Sequence, residues 1–327
     1  MSIPTIAPTV SVVIPCFNAE RWIAEAIESA LAQTYPAVEV VVIDDGSTDG
    51  SLDRIRSFDT KIRWETGPNR GGNRARNRGM QLASGGIIQF LDADDFLLPD
   101  KIRRQVEVLE AQRADVVYED VRFLAESAQG DRRWLGSWVA GPNEDILVAL
   151  LGSWAPPPCS FLFRRSAFEG VGGWNEELSS AQDWDLHIRL AFERLVYAYA
   201  PGSNNVHRRP ESGTLSTRDP RGRHANVVHI LRQAEARLAG ENRLSAKYRD
   251  AIAASYLKMA CGSSNYFDTD KPRFQEMLDE ARRLAPRTVG YDTGTLRVLS
   301  RVVGVEGTEQ IRSWWRSWLR WRAQRMV

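Results

Sequence analysis

Cysteine is scarce in this 327-residue chain: Cys16, Cys159 and Cys261 lie far apart and form no CxxC pair. That spacing excludes a disulfide-stapled fold and points to a reducing compartment, read here as cytoplasmic. Charge of one sign is also lacking, since 43 basic and 42 acidic residues leave a net +1, so no global field draws the molecule to nucleic acid or an anionic membrane. No apolar run reaches the roughly 18 residues needed to cross a bilayer, and the opening MSIPTIAPTV has no signal-peptide layout. The glycine-rich phosphate cradles GxGxxG and GxxxxGK[ST] are missing too: the turn after the first apolar run reads Pro15-Cys16-Phe17-Asn18-Ala19. Dinucleotide-binding and P-loop chemistry are thereby excluded, and a nucleotidyltransferase, expected to carry a Gly-rich basic loop there, is disfavoured.

What is present is an ordinary globular composition, 43% apolar and 26% charged, in a chain long enough for two domains. The runs Val10 to Ile14 and Val38 to Ile43 are short, β-branched and unalternated, as in parallel strands covered on both faces. Between them Asn18 is expected to cap a helix through Ile23, Ile27, Ala30 and Leu31. Further alternation, with a helix near 73–83 and a strand Ile87 to Leu91, predicts an α/β fold with a doubly wound, mostly parallel sheet. Beyond Pro99 the pattern predicts β pieces at Asp115 to Leu124, Trp134 to Val139 and Ser160 to Phe163. From about residue 220 it turns helical, which divides the chain into 1–220 and a helical extension, 221–327.

The residues after the strands carry the chemistry. Asp44-Asp45 follows the second strand and Asp92-Ala93-Asp94-Asp95 the fourth, on the edge where open α/β sheets bind ligands. Either cluster alone is ordinary turn chemistry. Together they repel, and a hard divalent cation with oxygen ligands, Mg²⁺ or Mn²⁺, resolves that repulsion. Arginines in the stretch Asn69 to Asn77 could assist with phosphate, or simply line a solvated helix face.

Val10 to Ser51, then Asn69 to Ile102, resembles the inverting family 2 glycosyltransferases of the A-type glycosyltransferase fold. The resemblance implies a metal-dependent transfer of a sugar from a nucleotide diphosphate, a UDP-sugar by weak preference, to a glycan, lipid-linked or small-molecule acceptor. It implies that Pro15, Phe17, Asp44 and Asp45 hold the nucleoside, with Arg76, Asp92 and Ala93 near the nucleotide and Asp94 on the metal. Gly172-Gly173-Trp174-Asn175-Glu176 and Gln182-Asp183-Trp184-Asp185 resemble the family's later motifs, which puts the catalytic base at Asp183 and Trp174, Gln182 and Trp184 on the acceptor side. Gln182 stands where the family has Glu. At His207-Arg208-Arg209-Pro210, Arg209 occupies the family's histidine position, so a loop with Arg208, Arg209, Ser212 and Gly213 is expected to fold over the diphosphate, with no ligand role for His207. Trp154, Trp174 and Trp184 are candidates for stacking on sugar rings, with core packing as the alternative. A non-catalytic sugar-nucleotide binder is the competing reading.

The last segment places Trp314, Trp315, Trp318 and Trp321 on one helical face and Arg312, Arg316 and Arg320 on another. Such a helix suits either peripheral membrane contact or docking on its own domain or a second subunit through 308–325.

Overall fold

A computed structural model describes residues 7–138, 145–210, 219–261, 266–286, 304–310 and 312. They fall into two compact units, Met1–Ile146 with Ala155–Asn226, and Leu147–Trp154 with Val227–Val327. In chain order the strands are β1 (Val10–Cys16), β2 (Val38–Asp44), β3 (Arg63–Thr66), β4 (Ile87–Phe90), β5 (Phe96–Leu97), β6 (Val116–Tyr118), β7 (Val121–Glu126), β8 (Arg132–Trp138), β9 (Phe161–Arg164), β10 (Tyr197–Tyr199) and β11 (Asn205–Pro210). The helices up to that point are α1 (Ile23–Leu31), α2 (Ser51–Arg56), α3 (Gly72–Leu82), α4 (Lys101–Ala111), α5 (Ile146–Leu151), α6 (Arg165–Gly170) and α7 (Gln182–Phe192).

The main sheet of the first unit runs β10-β6-β9-β4-β1-β2-β3, mostly parallel, with β9 antiparallel to both neighbours. β1 and β2 are buried along nearly their whole length, which is why they read as continuous apolar runs. Val12, Ile14, Val40 and Val42 share one core with Ile23, Ala26, Ile27 and Ala30 of α1. On the opposite face α3 approaches so closely that a Cβ at Gly79 would enter the van der Waals shell of Val13 Cγ1. The doubly wound, mostly parallel sheet expected from the alternation is the one observed.

A second sheet, β5-β11-β7-β8, starts directly after the Asp92–Asp95 turn at the end of β4. Here the structure departs from the sequence reading. The stretch Asp115 to Leu124 is two strands in different sheets, interrupted where the Glu119 carboxylate turns inward. Glu119 accepts from Asn204 N–H at 3.0 Å and Asn205 Nδ2 at 2.8 Å, and burial pushes its pKa up, opposed by nearby Lys101. His207–Pro210 is not a loop but most of β11, paired in parallel with β7, while Ser212 and Gly213 lie outside the described residues. Its Arg208 is fully buried, bonded to Glu25 at 2.7 Å and 3.2 Å from Glu126, so it is a structural charge, removed from any diphosphate. Asn18 does not cap α1: it sits in the left-handed region (φ 49°) and its Oδ1 accepts from Thr48 N–H at 2.8 Å.

The second unit contains most of α8 (Pro220–Gly240), then α9 (Ala246–Cys261), α10 (Tyr266–Thr269) and α11 (Lys271–Leu284). Leu231, Leu238, Ile252, Tyr256, Met277 and Leu278 are buried there, and Arg283 links α11 to Glu235 of α8 through two 2.7 Å bonds. Residues 304–310 are helical, and the rest of the Trp/Arg-rich segment, Arg312 apart, lies outside the described residues. All three cysteines are free and buried, and no described helix is long and apolar enough to cross a membrane.

Candidate active site

The turns after β1 and β2 are sewn together by short polar bonds. Asp45 N–H donates to Cys16 O at 2.8 Å, and Asn18 N–H donates to Ser47 Oγ at 2.9 Å. Asp44 is buried, accepting from Thr66 Oγ1 at 2.6 Å and Ser47 N–H at 3.3 Å. Asp45 accepts from the backbone N–H groups of Arg70 and Gly71, both at 2.8 Å, which fixes the loop leading into α3. Both acids therefore do local work, while each carboxylate oxygen retains a further lone pair. Beside them Phe17 is 49% exposed, a ring left on the surface at the carboxyl edge of β1.

Asp92, half-buried, receives a charge-assisted bond from Arg76 of α3 at 2.5 Å. Arg76 is itself buried, with its guanidinium carbon 4.7 Å from the centroid of Trp174. Asp94 is pushed up to about 7, first by burial and then by the charges of Asp95 and Asp92. Asp95 is buried with both oxygens engaged, one by His207 Nδ1 at 2.9 Å and the other by Arg208 N–H at 2.8 Å. Burial alone would lower the His207 pKa, but Asp95, with Asp94 and Asp92 beyond it, raises it to about 9. His207 thus joins the acidic turn, which the sequence reading did not expect. Its partner is 112 residues away, so no local spacing could signal the pairing.

Asp183 lies in the first turn of α7, one residue after Gln182 and two after Ala181, a non-glycine residue at φ 57°. It does not cap the helix; that position is held by Ala181, and Asp183 Oδ1 instead accepts from Trp184 N–H at 2.9 Å. Burial raises the Asp183 pKa; the Asp92 charge adds to that, while Trp184 N–H, Arg76 and Arg223 oppose it. Asp92 and Arg76 therefore connect the two ends of the constellation electrostatically. The Gln182 Oε1 atom is buried and has no hydrogen-bond partner among the described residues.

The preceding turn is held by α3. Asn77 donates to Trp174 O and accepts from Trp174 N–H, both at 2.9 Å, and Asn73 donates to Asn175 O and Leu178 O at 2.7 and 2.9 Å. Gly172 and Gly173, at φ 77° and 76°, make that turn possible. Trp174 and Trp184 are 2% and 4% exposed, and Trp174 packs edge-on against Phe90. Their faces are enclosed by protein, which overturns the idea that they stack on sugar; Trp154 is likewise buried, in the second unit.

Comparison with known proteins gives these turns a context. An uncharacterized glycosyltransferase of Rickettsia felis is 33% identical over 190 residues, covering 56% of this chain and 31% of the relative, so the chain spans about a third of that protein. Among solved structures, S. aureus TarS 1-349 in complex with UDP-GlcNAc superimposes with a TM-score of 0.64 at 17% identity, covering 94% of this chain and 92% of that one. The mannosyltransferase PcManGT from Pyrobaculum calidifontis, in complex with GDP-Man and Mn²⁺, gives 0.53 at 19% identity over 95% and 88%. At those identities the likeness is one of fold. Residues 11–172 match the family model described as glycosyl transferase family 2, and the chain carries a domain of that family.

Proposed function

We propose that the chain transfers a glycosyl group from a nucleoside-diphosphate sugar to an acceptor hydroxyl with inversion, with Asp183 as general base and residues 1–220 as the catalytic domain. The observation that supports this reading is the charge coupling of four side chains from three separate segments: Arg76 bonds Asp92, Asp92 acts on Asp94, and both Arg76 and Asp92 act on Asp183. The UDP-GlcNAc in the TarS complex supports a UDP-sugar donor. Pro15 and the exposed Phe17 ring would flank the base, Asp44 and Asp45 would read its polar edge, and Asp92 and Ala93 would face the ribose, with Arg76 holding Asp92 in place.

The donor set suits a hard divalent cation. Asp94 is a carboxyl group whose pKa burial, and then two carboxylate neighbours, push up to about 7, with the His207 imidazole alongside, and such ions are commonly held by one or two carboxylates plus substrate phosphates. Mn²⁺ or Mg²⁺ held by Asp94 would supply Lewis-acid stabilisation of the leaving diphosphate. Asp183 accepts the proton of the acceptor hydroxyl while that oxygen attacks the anomeric carbon from the face opposite the diphosphate, which inverts the centre. A carboxylate whose pKa is raised is the stronger base, and the Trp184 N–H fixes the direction in which it points. Gln182, with its unpartnered oxygen, would take an acceptor hydroxyl, and the buried Trp174 and Trp184 support the site from beneath.

The test is release of UDP from UDP-sugars with Mn²⁺ present. Asp183→Asn should lower turnover by about 10²- to 10⁴-fold while UDP affinity is unchanged. Retained turnover in that variant would remove Asp183 from the chemistry.

A further inference from the structure

The two faces of the second sheet differ in charge balance. Parallel pairing sets His207 beside Phe123 and Arg209 beside Ala125; antiparallel pairing then sets Phe123 beside Gly136 and Ala125 beside Arg133. Paired residues share a face, so His207, Arg209, Phe123, Arg133 and Gly136 lie on one side. The opposite side carries Arg208, Glu126 and Arg132, whose charges are satisfied by one another and by Glu25, and the exposed Arg122, which donates to Ser203 Oγ at 3.0 Å. On the first side His207 is paired with Asp95, and the two guanidinium groups are left without a counter-charge among the described residues. Arg209 and Arg133 are exposed and have no carboxylate partner among the described residues.

This face begins at the candidate active site. His207 bonds to Asp95, its ring meets Phe123 edge-on at 5.8 Å, and the Arg209 guanidinium lies 4.5 Å from the Phe123 centroid. Gly136, two strand spacings and roughly 10 Å from His207, sits at φ 105° next to the register shift of β8, and a Cβ built there meets nothing within 4 Å. Phe123, half-buried, stands in the middle of the face with the Arg209 guanidinium over its ring, and guanidinium groups lie on both strands that flank it.

We propose that this face is the acceptor platform and that its ligand is an anionic saccharide chain, with a sugar ring over Phe123 and acidic groups on Arg209 and Arg133. The proposal rests on the glycosyl-transfer reading and assigns its acceptor class. Charge complementarity selects the occupant: a neutral glycan would leave two guanidinium groups without counter-charge, and guanidinium forks match both carboxylate and phosphate oxygens. An acceptor lying across β8, β7 and β11 would run toward His207, with its terminal hydroxyl continuing past the acidic turn to Asp183, whose charge is coupled to Asp92.

The experiment is calorimetric titration of the full chain, with UDP and Mn²⁺ present, using three probes: a glucuronate-containing hexasaccharide, poly(glycerol phosphate) and neutral chitohexaose. At least one anionic probe should bind, about tenfold or more tighter than chitohexaose, and the stronger of the two identifies carboxylate or phosphate as the acidic group. Arg133→Gln with Arg209→Gln should weaken that probe by about tenfold or more at unchanged UDP affinity, and Phe123→Ala should weaken it with the melting temperature as a folding control. Equal or tighter binding of chitohexaose, no binding of either anionic probe, or undiminished affinity in the double variant would overturn the proposal. UDP affinity, read by titrating UDP into the same proteins with Mn²⁺ and no saccharide, is the separate test of the donor reading.

Discussion

As the proposed general base, Asp183 would serve activity at the expense of stability. Its pKa is raised in the fold by burial and by Asp92, above the 3.8 of an ordinary aspartate. Below 3.8 the group is protonated in both folded and unfolded chains; as pH rises through the folded value, the fold must hold a charge it disfavours, and stability is lost. Asp183→Asn should therefore raise the melting temperature slightly at pH 7 while removing turnover, and the gain should vanish near pH 3, as a thermal melt series would show. Because the base acts only when ionised, kcat/KM should fall on the acid side with an apparent pKa above 3.8, readable from the pH profile of UDP release. An acid limb at or below 3.8 would mean another group is titrating. The proposal of this residue came from sequence, because the nearby run Gly172 to Glu176 resembles a family motif. His207 was not, because its role is conferred by Asp95 across two strands.

At the scale of elements, charged strands were hardest to read. β11 carries His, two Arg and Pro, a composition that suggests a loop, yet Arg208 is buried against Glu25 and Glu126, which come from α1 and β7. A buried guanidinium with two carboxylates is costly to disrupt: Arg208→Ala should lose about 3–5 kcal/mol in urea unfolding, with UDP affinity per folded molecule unchanged. A selective loss of UDP binding would instead restore it as a phosphate contact. The α3 helix was legible from its spacing, but not its second task of clamping the Gly172–Asn175 turn. Asn77→Ala leaves the Trp174 N–H and C=O without their partner and should cost about 1–3 kcal/mol. The same reasoning explains the tryptophans: motif position put Trp174 and Trp184 at the acceptor, whereas packing against Phe90 and under Arg76 puts Trp174 in the core.

Across the whole first unit, burial on both faces makes β1 and β2 continuous apolar runs, so the parallel core could be read directly from composition. The smaller sheet could not, since β5 is two residues long and β8 is exposed almost throughout. Yet that sheet is what brings β11 beside the Asp92–Asp95 turn and gives the site its imidazole. The central claim is that acids from separate turns gather at this edge around a cation and a nucleoside diphosphate. Titration of UDP into wild type and Asp94→Asn, each with and without Mn²⁺, tests it most directly. The expected result is binding that strengthens about tenfold or more with Mn²⁺ in wild type and loses that enhancement in Asp94→Asn. UDP affinity indifferent to Mn²⁺, or an enhancement that survives the substitution, would contradict it.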